Sequence, residues 1–261
     1  MDDLIPNHAL KEDRHRAILE LLSKHKSLRI SQLKEMFGVS EVTLRSDLSQ
    51  LEDQGLVIRV HGGVRLPKLN ETIEVPYSQR AIENKQQKIN IGKAAAKMVN
   101  DGDIIILDSG TTTMQVARHL KDHKGVTVVT NSLNVASVLG VNPNLIVHLT
   151  GGILNYATLS LVGPEAERSI SDIKADKLFL AAHAVDNGHL MERGILMAQV
   201  KRAMIQSARE VILVADSSKF GKISFTIVTD LHSVDIIITD SNLEARMQDE
   251  LRGFGLKLVL V

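Results

Sequence analysis

The chain of 261 residues contains no cysteine, has aromatic side chains at only 3% of its positions and carries a formal net charge of zero. Without cysteine there are no disulfides, no thiolate nucleophile and none of the zinc sites that need sulfur ligands. Its ten histidines never fall into the His-Glu-x-x-His spacing of a zinc hydrolase. With so few aromatics, the core has to be built from Leu, Ile, Val, Ala and Met. No apolar run approaches the roughly 20 residues that cross a bilayer. The opening segment Met1-Asp2-Asp3-Leu4-Ile5-Pro6 lacks the basic and apolar regions of a signal peptide, so a cytoplasmic protein with no membrane partner is expected. There is no internal repeat and no low-complexity tract. The length suffices for two domains.

Zero net charge excludes a polybasic nucleic-acid binder. Residues 1–68 hold eleven Lys plus Arg against ten Asp plus Glu, or eleven against eight without the first ten residues. Affinity for DNA would then rest on a few placed contacts, and on several reader domains in a homo-oligomer. Residues 28–65 nonetheless have the order of such a reader: short helix, tight turn, longer helix, hairpin. Ile30, Leu33 and Phe37 recur at helical spacing, Gly38-Val39-Ser40 makes the turn, and Ser40 can cap the next helix. There Leu44, Leu48 and Leu51 share one face. The opposite arc carries Val42, Thr43, Ser46, Ser49 and Gln50, with Arg45 on its shoulder. A small, polar, hydrogen-bonding helix surface suits the major groove, where base edges are read. Gly55 ends the helix, residues 56–60 read as a strand, and His61-Gly62-Gly63 turns the chain into Val64-Arg65. The stretch predicts a winged helix-turn-helix, with Arg59, His61 and Arg65 on the wing facing phosphate or minor groove. The competing use of such a domain is protein contact alone.

The predicted division is a DNA-binding domain over 1–68, a linker over 69–84 and an α/β domain over 85–261. In the last part, near-continuous apolar strands alternate with helices, which predicts a mostly parallel sheet covered on both faces. Strands are expected at 103–107, 126–130, 145–149, 178–182, 211–215, 236–239 and 256–261. Helices are expected at 85–99, 114–120, 133–139, 164–173, 199–208 and 243–251. Ligands of open α/β sheets bind at the carboxyl ends of the strands. The first strand runs into Asp108-Ser109-Gly110-Thr111-Thr112-Thr113 at a helix start, with hydroxyls, a glycine and free N–H donors for an anion. The next two strands end in Thr130-Asn131-Ser132 and Thr150-Gly151-Gly152. A later loop, 215–221, carries Lys219, a point charge for an anionic ligand.

The string SEVTLRSDLSQLEDQGLVIRVHGG resembles the DNA-binding end of DeoR/GlpR-type bacterial transcriptional regulators. The strings DSGTT, TNS, TGG, VKRAMI and ADSSKFG resemble the sensor domain of the same family. The resemblance implies a sheet similar to ribose-5-phosphate isomerase and a phosphorylated sugar or related metabolite as effector. It also implies repression of a carbohydrate catabolic operon, relieved when the effector binds. No cofactor is expected. Two departures stand out. The family has two arginines before the aspartate of the recognition helix, where this chain has Arg45 and Ser46. Where relatives read G-A-D-G-I, it has Ala181-Ala182-His183-Ala184-Val185, followed by Met191-Glu192-Arg193-Gly194-Ile195 and Gln199. The pocket thus loses carboxylates and gains His183 and Arg193, which suggests a more anionic or differently shaped effector than a simple hexose phosphate; the competing reading of His183 is a buried, hydrogen-bonded histidine.

A fused sugar-phosphate isomerase is the rival reading. It needs a carboxylate base and an electrophile. Asp108, Asp186 and Glu192 are the acids left to serve, and nothing in the sequence pairs them. A constitutive DNA binder with a vestigial pocket is the third reading.

Overall fold

The computed structural model describes residues 11–25, 27–53, 56–60, 62–66 and 77–261. Gly55, His61 and residues 69–76 of the expected linker lie outside the described residues. The chain divides into two compact units, residues 1–75 and 76–261. No helix among the described residues is long and apolar enough to cross a membrane.

The first unit runs α1 (Lys11–Lys24), β1 (Leu28–Arg29), α2 (Ile30–Phe37), α3 (Glu41–Asp53), β2 (Ile58–Val60) and β3 (Gly63–Arg65). The apolar positions spaced for helices are the ones buried: Ile18 and Leu22, Leu33 and Phe37, then Leu44, Leu48 and Leu51. Gly38, at φ +63°, closes α2 in the left-handed conformation and donates its N–H to Lys34 O. Ser40 Oγ accepts the Thr43 N–H at 3.1 Å and so caps α3. The strands form a small antiparallel sheet in the order β1-β3-β2, which is the wing. A buried carboxylate fastens α3 to α1: Asp47 accepts from Arg14 Nε at 2.7 Å and Nη2 at 3.1 Å, with His15 Nε2 at 3.2 Å.

The second unit opens with α4 (Tyr77–Ile82) and α5 (Lys85–Ala96), then β4 (Ile104–Leu107), α6 (Thr113–Arg118), β5 (Thr127–Thr130), α7 (Leu133–Leu139) and β6 (Ile146–Leu149). A hairpin, β7 (Ile153–Asn155) and β8 (Ser160–Val162), leads to α8 (Pro164–Ser171) and β9 (Ala175–Leu180). Then come β10 (Ala184–Asp186), β11 (His189–Glu192), α9 (Ile195–Ser207), β12 (Ala208–Val214) and β13 (Thr226–Asp230). The unit finishes with β14 (Ile236–Thr239), α10 (Ala245–Gly253) and β15 (Lys257–Leu260). Seven strands form a wholly parallel sheet in the order β15-β14-β12-β9-β4-β5-β6. Successive strand residues enter opposite cores. Ile106, Leu178 and Leu213 pack on one face, and Ile105, Phe179 and Ile212 on the other. That is why these strands read as unbroken apolar runs.

Residues 77–82 form a helix of the second unit, the helical lead-in that the sequence left open beside the end of a linker. Three features differ from the sequence expectation. Helix α9 starts four residues before the expected 199, directly after Gly194. The hairpin β7–β8 and the antiparallel sheet β10-β11-β13 are additions to the parallel core, built from strands of three to five residues. Finally α6 is only six residues long. Its end dipole is correspondingly weak, so charge for an anion has to come from side chains.

Candidate functional site

On the first unit, α3 exposes Val42, Arg45 and Ser46, with Val42 78% exposed, while Thr43 and Ser49 are half-buried beside them. Thr43 is partly committed, since its N–H and hydroxyl both meet Ser40 Oγ. The Arg45 guanidinium reaches one turn back to Glu41 Oε1, at 2.6 Å from Nη2 and 3.0 Å from Nε. This pair extends Arg45 along the exposed face. On the wing, Arg59 is exposed and its side chain lies 3.9 Å from Glu52. Arg65 is half-buried, with Nη1 donating to Leu66 O.

On the second unit, a cleft of about 450 Å³, open mouth included, lies at the carboxyl ends of the adjacent strands β4, β9 and β12. Its walls are Ser109 to Thr112 after β4, Ala181 to His183 after β9, Glu192 and Lys201, Lys219 from the loop after β12, and Arg80 and Lys88 from the first two helices. Four basic side chains, Arg80, Lys88, Lys201 and Lys219, thus meet one lining carboxylate, Glu192. Burial lowers the Lys219 and Lys88 ammoniums from their ordinary value, with Asp216 opposing in both cases. A cleft that costs cations their hydration in this way favours an anionic occupant.

Below the cleft, Lys201 and Asp108 are completely buried. Lys201 Nζ donates to Asp108 Oδ2, to Ala181 O at 2.6 Å, and lies 3.3 Å from Glu192 Oε2. Burial alone would lower Lys201, but the carboxylates of Asp108 and Glu192 raise it, so it stays charged. Burial holds Asp108 above the usual carboxylate range, although Lys201 and the Ala181 N–H at 3.0 Å pull it back. Two of the three acids that the sequence leaves unpaired, Asp108 and Glu192, are therefore joined by Lys201. This lysine sits in the middle of α9, where residue type alone does not reveal a buried ammonium.

His183 lines the cleft, and its Nε2 accepts from Arg193 Nε at 2.8 Å. An arginine N–H can only donate, so this ring nitrogen is unprotonated and the proton sits on Nδ1. Burial, and then the Arg193 guanidinium, hold His183 well below the ordinary histidine value.

Six of the sequence-predicted residues line the cleft: Ser109, Gly110, Thr111, Thr112, His183 and Lys219. Six others do not. Asp108 works from beneath, and the Thr113 hydroxyl closes the loop onto Gly110 O at 3.1 Å. Arg193 is buried and backs His183. Asn131, Gly151 and Gly152 follow β5 and β6, one and two strands beyond β4, away from β9. At about 4.8 Å per strand they are displaced by roughly 5 and 10 Å. Asn131 Nδ2 instead holds Leu161 O at 3.1 Å. Gly152, at φ +124°, lets the hairpin approach: a Cβ there would stand 2.6 Å from Val162 O. Arg80, Lys88 and Lys201 are the functional candidates that the sequence reading did not place in the site, and Glu192 entered it only as a possible acid of the isomerase reading.

Comparison with known proteins agrees with this two-part arrangement. Residues 14–69 match the DeoR-like helix-turn-helix domain, and residues 83–241 match the DeoR C terminal sensor domain. The chain is 36% identical over 255 residues to the HTH-type transcriptional regulator GlpR of Haloferax volcanii, covering 96% of this chain and 98% of that one. It is 33% identical over 248 residues to the glycerol-3-phosphate regulon repressor of Escherichia coli, covering 95% and 98%. It is also similar to ribose 5-phosphate isomerase A of Methanocaldococcus jannaschii, at 19% identity over 53% of this chain and 55% of that one, with a TM-score of 0.39. A likeness that loose carries no argument about chemistry. The two family domains, matched in order along the chain, and the end-to-end relatives place this chain in the DeoR family of helix-turn-helix transcriptional regulators.

Proposed function

We propose that the chain is a sequence-specific DNA-binding repressor of a carbohydrate operon, and that a small phosphorylated sugar in the cleft lowers its operator affinity. The convergence of Arg80, Lys88, Lys201 and Lys219 on a cleft that also presents Ser109, Thr111 and Thr112 carries this reading. Cations answer the phosphate, and hydroxyls with Glu192 answer the sugar. The E. coli relative is named for a glycerol-3-phosphate regulon, which supports a phosphorylated metabolite of this class. Val42, Thr43, Arg45, Ser46 and Ser49 read the major groove, with Ser40 capping their helix and Arg59 on the wing. The small cationic surplus of the reader domain is met by several readers in a homo-oligomer.

The cleft acts as a sensor rather than an active site. Lys201 holds both Glu192 and Asp108 in ion pairs, and a carboxylate committed in this way is a poor proton acceptor for aldose–ketose isomerisation.

The test separates the two surfaces. Arg45→Ala should weaken operator binding by about 1–3 kcal/mol, the worth of a good base contact, and leave effector binding intact. Thr111→Ala with Thr112→Ala should bind the operator normally and respond poorly to effector. A folded variant that lost both functions would contradict this division of labour.

A further inference from the structure

His183 lies between β9 and β10 and lines the cleft, with its backbone N–H donating to Met191 O at 3.3 Å. Its ring is fixed from behind. Arg193 Nε donates to Nε2 at 2.8 Å, and Arg193 itself is buried outside the lining. An arginine nitrogen never accepts, so Nε2 keeps its lone pair and Nδ1 carries the proton. A histidine free in water exchanges its two tautomers and can donate or accept at either nitrogen. This one can only donate to the cleft, and only from Nδ1. Among the described residues no group accepts from Nδ1, which opens on the cleft. The bond from Arg193 also polarises the ring, since hydrogen bonds in series strengthen one another away from water. Burial and the Arg193 guanidinium keep the imidazole neutral, so the donor is the same single N–H throughout the neutral range.

The rest of the lining is short of acceptors. Glu192 is its one carboxylate, and the two oxygens already take the Arg193 backbone N–H at 2.9 Å and the Lys201 ammonium at 3.3 Å. Ala181 O takes Lys201 Nζ at 2.6 Å. Ser109, Thr111 and Thr112 can donate as readily as accept. A sugar hydroxyl set against His183 would offer only a lone pair and leave its own proton to seek one of these few acceptors. An oxygen that carries no proton loses nothing there. Among such oxygens a carboxylate gains most, because a hydrogen bond to an ionised acceptor is roughly twice as strong as a neutral one. The charge of Glu192 does not oppose it, since Lys201 already meets that charge.

We propose that His183 is the specificity-determining residue of the cleft, its Nδ1–H a fixed donor to a carboxylate, and that the effector is a phosphorylated sugar acid rather than a phosphorylated aldose, ketose or polyol. The inference rests on the sensor reading above and narrows its ligand class. Arg193 is a positioning residue, which sets the tautomer from outside the lining.

Calorimetric titration of the full chain tests this with three pairs of probes: 3-phosphoglycerate and glycerol 3-phosphate, 5-phosphoribonate and ribose 5-phosphate, 6-phosphogluconate and glucose 6-phosphate. Each pair shares its phosphate and its carbon count and differs at the carboxylate. Wild type should bind one of the acids about tenfold or more tighter than its partner, the worth of a hydrogen bond to a charged group. His183→Leu should lose that preference. His183→Asn, whose amide N–H can stand near the place of Nδ1, should keep most of it. Nitrogen NMR of the wild-type imidazole should show the proton on Nδ1 and none on Nε2, a readout that needs no variant to fold and that a merely structural histidine need not give. The inference is overturned by acids that bind no tighter than their partners, or by a preference that survives in His183→Leu. Equal loss in both variants, or a proton on Nε2, overturns it as well. In each of these cases the sensor reading stands while any of the six phosphorylated compounds binds. A wild type that binds none of them overturns both.

Discussion

Replacing Lys201 by methionine keeps the length of the side chain and removes the ammonium that Asp108 and Glu192 share. Little volume is lost, so the cost is electrostatic. Asp108 has no exposed surface, and Lys201 is only 1% exposed. Removing one partner of such a buried pair typically costs about 3–5 kcal/mol. The lower end applies here, because Asp108 keeps the N–H groups of Ser109 at 2.7 Å and Ala181 at 3.0 Å, and Glu192 keeps that of Arg193 at 2.9 Å. The chain has no tryptophan, and both tyrosines, Tyr77 and Tyr156, belong to the second unit. Tyrosine fluorescence in a urea titration therefore reports that unit alone. With a slope of about 2 kcal/mol per molar urea, the midpoint should fall by roughly 1.5 M. Adding Asp108→Asn should restore part of the loss, because the amide oxygen still accepts N–H bonds without a charge. The pH dependence has a definite sign. Burial already holds Asp108 above its ordinary range, and loss of Lys201 raises it further. Stability limited by a raised carboxylate is present below its unfolded value and lost as pH rises through the folded one. The deficit of Lys201→Met should accordingly shrink on acidification. A midpoint shift under about 0.5 M, or no recovery with Asp108→Asn, would refute the assignment of Lys201 as the charged hub.

Asp47→Ala should destabilise the reader unit by about 3 kcal/mol, because Arg14 and His15 lose their buried partner. The helical circular-dichroism signal should show an earlier melting step, with the tyrosine-monitored transition unmoved. Glu41→Gln should tighten operator binding by about twofold to fivefold in a gel shift at fixed salt, since it frees Arg45 and removes a negative charge from the DNA face. His183→Gln should flatten the acid side of the stability curve. In wild type the native imidazole stays neutral while the unfolded one takes up a proton below about pH 6.5, which costs about 1.4 kcal/mol per pH unit until the lowered folded value is reached. Urea midpoints at several pH values compare the two slopes.

The parallel sheet was legible because its strands are buried on both sides, so that Ile104-Ile105-Ile106-Leu107 and Ile236-Ile237-Ile238 read as uniform apolar runs. The antiparallel sheet was not, since β10, β11 and β13 are short, irregular in pattern and far apart in sequence. One usable signal was present. Asn187 and Gly188, at φ +47° and +75°, form the two-residue turn that Asn-Gly favours between antiparallel strands, and Asp186 pairs with His189 across it. In the cleft, the Ser109–Thr112 loop could be found from its place after a strand. Arg80 and Lys88 carry no such mark. One lies in a stretch read as the end of a linker or a helical lead-in, and the other in an ordinary amphipathic helix. Only the folding of α4 and α5 against the sheet brings them to the cleft at the strand ends. Gly151 and Gly152 show the converse, a loop of the right composition that follows a strand too far along the sheet.

The most direct test of sugar-responsive repression is a gel shift with the DNA upstream of this chain's own gene and the adjoining operon, at stated salt, with and without a panel of phosphorylated sugars and their dephosphorylated forms. The account predicts a specific complex that one phosphorylated compound dissolves and its dephosphorylated form does not. Specific binding indifferent to every phosphorylated compound would contradict the effector assignment, and no specific binding at all would contradict the repressor itself.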